Sequence, residues 1–183
     1  MDKFILDRSK ALLLIVDIQE RLVSAMDQKE KVYANCQHII EASKLLAIPF
    51  LVTEQYPKGL GRTVNEIKDA LPHYEPLEKI TFDCCKGEGF LEKVASLYKS
   101  QIILTGMETH VCVLQTCLSL LQEGYTVHLV SDAVCSRKKD DFRTAREMMR
   151  DAGAVITCTE TVLFQLLVKA GTPEFKTISK RIK

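Results

Sequence analysis

The feature that most constrains the fold is Ala11-Leu12-Leu13-Leu14-Ile15-Val16, an unbroken apolar run that stops at a carboxylate, Asp17. A strand with one solvated face alternates apolar and polar residues. This run does not alternate, so both its faces must be covered, as in a parallel sheet packed between helices. A second such run, Gln101-Ile102-Ile103-Leu104-Thr105, enters Gly106-Met107-Glu108-Thr109-His110-Val111-Cys112-Val113 and then a helical stretch that Gly124 ends.

The same succession of strand and helix recurs along the chain. Further strands are predicted over 50–53, 77–82, 125–130 and 154–158, and helices over 29–47, 64–70, 89–99, 114–123, 138–152 and 161–169, the last being the final packed helix. The helix over 138–152 should turn Phe142, Ala145, Met148 and Met149 inward. Between the second strand and the helix over 64–70, the glycine-bearing segment 55–63 is a candidate lid. Six strands alternating with helices argue for one three-layer α/β/α domain over residues 1–183, its mostly parallel, doubly wound sheet in the order 3-2-1-4-5-6. In that order strands one and four are neighbours, and the ligand crevice opens between their carboxyl ends.

Charge and cysteine usage narrow the function. A net charge of +1 gives no reason to expect nucleic acid or an anionic membrane as partner. The first residues lack the charged-then-apolar order of a signal peptide, and the run ending at Val16 is far short of a membrane span. Seven cysteines, odd in number and without zinc-type spacing, fit a reduced, cytoplasmic chain.

Cys112 is the first candidate for chemistry. With Thr109 as N-cap it falls in a first helical turn, where partial positive charge favours a thiolate. Asp17 ends strand one and faces it if the strand order holds, while Asp132, at the end of strand five, competes for the same role. Lys79 lies inside an apolar run rather than on a polar helix face, so it can point into a pocket. His110 is a rival base, but across a strand-to-helix turn its ring need not converge with the thiol. The remaining histidines form no metal-ligand spacing.

Four segments together carry a resemblance: Leu14-Ile15-Val16-Asp17-Ile18-Gln19, Val52-Thr53-Glu54-Gln55-Tyr56-Pro57-Lys58-Gly59-Leu60-Gly61, the lysine ahead of Phe82, and Gly106 to Val113, with Ser131-Asp132-Ala133 following. In this order and spacing they resemble the isochorismatase-like cysteine hydrolase superfamily, and more closely its isochorismatase domain-containing proteins. The resemblance implies a catalytic set of Asp17, Lys79 and Cys112, a non-proline cis peptide at Met107-Glu108, and an oxyanion hole from the N–H groups of Glu108 and Cys112. Motif residues beside that set, Gln19, Glu54, Gln55, Tyr56, Phe82 and Thr109, become the candidates for substrate contact. Nicotinamidases of the superfamily carry an Asp-x-His metal site after strand two. Here that region holds no histidine, so no metal and no cofactor are expected. True isochorismatases lack the nucleophilic cysteine and cleave a vinyl ether, which Cys112 argues against.

The implied activity is hydrolysis of a small amide-type C–N bond through a thioester, in a protein that forms homo-oligomers. Two alternatives stand beside it. One is a binding or assembly protein whose chemistry has lapsed; the other is a thiol sensor using Cys112 with Cys117, or Cys84 with Cys85.

Overall fold

A computed structural model describes residues 2–183. Its centre is a six-stranded sheet in the order β3-β2-β1-β4-β5-β6, every pairing parallel. The strands are β1 (Ala11–Val16), β2 (Phe50–Gln55), β3 (Leu77–Lys79), β4 (Gln101–Met107), β5 (Thr126–Cys135) and β6 (Val155–Thr157). All six residues of β1 and all seven of β4 are buried, as the lack of alternation requires.

Helices α1 (Glu20–Val23), α2 (Lys29–Leu45), α3 (Pro57–Leu60), α4 (Asn65–Lys68), α5 (Phe90–Ser96), α6 (Leu114–Gln122), α7 (Lys139–Asp151), α8 (Thr159–Leu167) and α9 (Pro173–Arg181) flank it. One core layer packs Leu13, Ile15 and Ile103 against Val32, Ile39 and Ile40 of α2 and Leu166 of α8. The other packs Leu12, Leu14 and Leu104 against Val94 of α5, Leu120 of α6 and Met149 of α7. Alternate residues of each buried strand thus feed opposite layers.

Four expectations need correction. Strand three ends at Lys79 rather than residue 82, because Ile80 is 82 % and Phe82 54 % exposed and the chain leaves the sheet there. Strand five runs on to Cys135, with a register irregularity against β4 between Leu104 and Gly106. Met148 faces solvent, since Ala145 and Met149 define the buried stripe of α7. Helix α8 is not the last: α9 follows, with Thr172 accepting the Phe175 N–H, Pro173 in its first turn and Ile178 buried.

Candidate active site

Parallel register brings the carboxyl ends of the strands together. Val16 pairs with Thr53 of β2 and with Gly106 of β4, and Gln55 pairs with Lys79 of β3. The close approach at Gly106 admits no side chain: its φ is +123°, and a Cβ would lie 2.1 Å from the Val16 carbonyl oxygen. Asp17 follows β1 with φ 52°, a left-handed conformation that aspartate tolerates better than most residues.

Asp17 and Lys79, far apart in sequence, meet in the interior. Lys79 Nζ donates to Asp17 Oδ2 at 2.6 Å, with side-chain exposures of 3 % and 0 %. Thr53 donates its hydroxyl to Asp17 Oδ1 at 2.7 Å, so both carboxylate oxygens are engaged. Lys79 also donates to Gln55 Oε1 at 2.9 Å and, at 3.3 Å each, to the carbonyls of Thr81 and Phe82. Burial acts to lower the Lys79 pKa, but the Asp17 carboxylate beside it outweighs that and the net direction is up, which keeps the ammonium charged. Asp132, the rival carboxylate, is elsewhere: it accepts from the Thr159 N–H and hydroxyl at 2.8 and 2.9 Å at the start of α8.

Cys112 sits in one wide, π-type turn, Thr109–Val113, between β4 and α6, not in a first α-helical turn. Thr109 does not cap it; among the described residues the buried Thr109 hydroxyl has no partner, and Glu108 occupies the cap position without a side-chain bond. The thiol pKa moves opposite to the expectation. Burial pushes it up, the neighbouring Asp17 carboxylate pushes the same way, and Lys79 only partly opposes them. Cys112 is therefore a thiol at rest. It keeps 5 % of its surface exposed. The Met107–Glu108 peptide bond is cis. Among the described residues, the Glu108 N–H donates to no backbone carbonyl.

His110 turns away from the thiol, its Nδ1 2.9 Å from Ser136 Oγ and its Nε2 3.8 Å from Asp141. The Glu108 carboxylate accepts from Arg137 Nε at 2.9 Å. These two links hold the turn bearing Cys112 to the segment after β5.

The residues expected to touch substrate divide into three groups. Gln19 and Glu54, both fully buried, brace the interior instead. Gln19 accepts the Gln55 N–H at 2.7 Å and donates to the carbonyls of Gln55 and Gly61. Glu54 accepts from the Thr63 N–H and hydroxyl, from Tyr74 and from Arg62. Burial works to raise its pKa, but those donors prevail and hold the carboxyl below its usual range. Gln55 orients Lys79, and Thr109 is buried behind the turn. Tyr56 and Phe82 are exposed.

Tyr56 and Lys79 line a cleft of about 460 Å³ together with Pro57, Ile80, Thr81 and Gly87; neither Asp17 nor Cys112 lines it. Sequence reasoning missed Thr53 and considered Cys84 only as a redox partner of Cys85; the Cys84 thiol is 3.7 Å from the Thr53 hydroxyl and lies in the field of Asp17 and Lys79. The available signal for Thr53 was a hydroxyl at the carboxyl end of the strand beside Asp17. All seven cysteines are free. Among the described residues, no three His, Cys, Asp or Glu side chains converge to hold a metal ion, and no helix is long and apolar enough to cross a membrane.

With this geometry in hand, the isochorismatase domain profile matches residues 11–161. The chain belongs to the isochorismatase family. It is 41 % identical over 177 residues to the secreted isochorismatase effector Isc1 of Phytophthora sojae, covering 94 % of this chain and 84 % of that protein. The solved structure of MAR1 ribonuclease from Caenorhabditis elegans superimposes with a TM-score of 0.89 at 36 % identity, over 97 % of this chain and 91 % of that one. The Escherichia coli YcaC gene product, described as an octameric hydrolase of unknown specificity, gives a TM-score of 0.90 at 26 % identity over 97 % and 90 % of the two chains. The isochorismatase-family hydrolase fold thus extends over nearly the whole sequence.

Proposed function

We propose that this isochorismatase-family protein is a cysteine hydrolase that cleaves a small amide-type C–N bond. The observation carrying this reading is the buried Asp17–Lys79 ion pair at 2.6 Å, with Cys112 close enough for the charge of that carboxylate to raise its thiol pKa. A thiol held above its ordinary pKa needs a base during the attack itself. Asp17 takes the proton as sulfur bonds to the carbonyl carbon, then delivers it to the leaving nitrogen as the C–N bond breaks. Water attacks the thioester, Asp17 accepts its proton, and that proton returns to sulfur as the acid leaves. Lys79 keeps Asp17 charged between steps. The N–H groups of Glu108 and Cys112 are the assigned oxyanion donors, each worth about 3–4 kcal/mol in such sites.

The ribonuclease activity ascribed to the C. elegans relative is not carried over. A cysteine only 5 % exposed suits a small acyl group rather than a polymer. Seven free cysteines suit a reducing compartment such as the cytoplasm. A homo-oligomer is the expected state, supported by the octameric E. coli relative and by exposed Tyr56, Ile80 and Phe82.

The test is a screen of small amides and carbamoyl compounds with Cys112→Ser and Asp17→Asn as paired controls. Turnover should vanish in both variants, and intact mass should show an acyl adduct on Cys112 of the native protein. Turnover persisting in Cys112→Ser refutes the role given to the thiol. A lapsed, binding-only protein is the second reading, favoured by the cleft that Cys112 does not line. Iodoacetamide separates the two: a working site alkylates Cys112 well ahead of the buried Cys36, and a lapsed one does not.

A further inference from the structure

A second cleft, of about 240 Å³, opens on the carboxyl edge of the sheet, where open α/β folds take their ligands. It is bounded by the start of α2, the end of β5 and the first turns of α7, and neither Asp17, Lys79 nor Cys112 lines it. We propose that this cleft binds a small phosphate monoester.

Its walls carry three cations, Lys31, Lys139 and Arg143, and the uncharged hydrogen-bonding groups of Gln28, Ser131 and Ser136. The one acid in the wall, Asp132, directs its carboxylate to Thr159 at the start of α8. Cys135 adds no negative charge, because burial, helped by Glu108, pushes its pKa up to about 12. The Arg143 guanidinium has one competing bond, to Asp140 at 3.4 Å. Both groups are largely exposed, and pairs of that kind hold weakly. Ser136 faces His110 at 2.9 Å, yet a hydroxyl retains further bonding capacity.

Donor number and charge select the ligand. Three cations and three neutral polar groups exceed what the two oxygens of a monocarboxylate can engage. A phosphate monoester offers three oxygens and a charge of roughly −1.5 to −2 at neutral pH. The ester substituent follows from the apolar part of the lining: Val32 and Val134 are 1 % and 4 % exposed, and Phe142 joins them. A cleft of 240 Å³ holds about eight waters at roughly 30 Å³ each, which sets the ligand at metabolite size.

The experiment is calorimetric titration of the full chain at low ionic strength with phenyl phosphate, inorganic phosphate and benzoate. Saturable one-site binding is expected, tightest for phenyl phosphate and weakest for benzoate. Lys139→Gln and Arg143→Gln should each weaken phenyl phosphate by about tenfold, since each removes a charge-assisted contact. Both side chains are exposed, and far-UV circular dichroism verifies that the variants fold. Cys112→Ser and Lys176→Gln, on α9, should bind as the native chain does, which separates this cleft from the proposed hydrolase site and from general charge attraction. Absence of saturable binding overturns the proposal. So does unchanged affinity in both cleft variants, benzoate matching phenyl phosphate, or inorganic phosphate binding as tightly as the ester.

Discussion

His128 makes this protein sensitive to acid. The residue lies in β5 opposite Ile103 and Val155, is 1 % exposed, and among the described residues has a partner on neither ring nitrogen. Burial lowers its pKa from 6.5 to about 4. The unfolded chain therefore takes up a proton below pH 6.5 while the folded chain resists doing so until about 4. Stability is full above that window and falls on acidification through it, by about 3 kcal/mol in all at 1.36 kcal/mol per pKa unit. Between pH 7 and pH 5 the loss from this residue comes to about 2 kcal/mol. Urea denaturation of the native chain and of His128→Leu at the two pH values isolates it. Carboxylates and the partly buried His38, whose pKa burial also lowers, titrate in both proteins alike. His128→Leu should lose about 2 kcal/mol less than the native chain over this interval. Equal losses in the two proteins would show that the ring is not a buried neutral group.

Three further outcomes are expected. Lys79→Met leaves the Asp17 carboxylate buried and unpaired, so unfolding free energy should drop by about 3–5 kcal/mol in urea titration; a loss under about 1 kcal/mol contradicts the buried pair. Gly106→Ala should lower stability by about 3 kcal/mol or more, because the added carbon meets the Val16 backbone at 2.1 Å and the φ of +123° suits only glycine; a soluble, equally stable variant rules out the close approach. Thr53→Val removes one hydrogen bond to the charged Asp17, costing about 1.5–3 kcal/mol, and should shift the pH profile of Cys112 alkylation while Thr53→Ser restores it. An unmoved profile in the valine variant makes the hydroxyl a bystander.

What could be read in advance follows from the range of the interactions involved. Ala11–Val16 declares itself as a doubly covered strand because burial on both faces is written into consecutive residues, and the strand order then follows from general chain topology. The family motifs singled out Asp17, Lys79 and Cys112, but local pattern could not say what each side chain touches. Gln19 and Glu54 look like ligand contacts in sequence and act as internal braces. Their partners, Gly61, Thr63 and Tyr74, become neighbours only when the segment after β2 folds back. The thiol was expected to be acidified by a helix start. A wide turn replaced that helix start, and burial beside a carboxylate outweighed the lysine. Ile80 and Phe82 read as strand because they are apolar, yet β3 is an edge strand that ends at Lys79.

The three groups assigned to the chemistry stand at positions 17, 79 and 112, on segments that touch only when β1, β3 and β4 have taken their places. No proteolytic piece or half-made chain lacking one of those strands carries the full set. Competence at the sulfur would thus switch on with completion of the sheet, and the rate at which that one atom reacts could time the last steps of assembly during refolding.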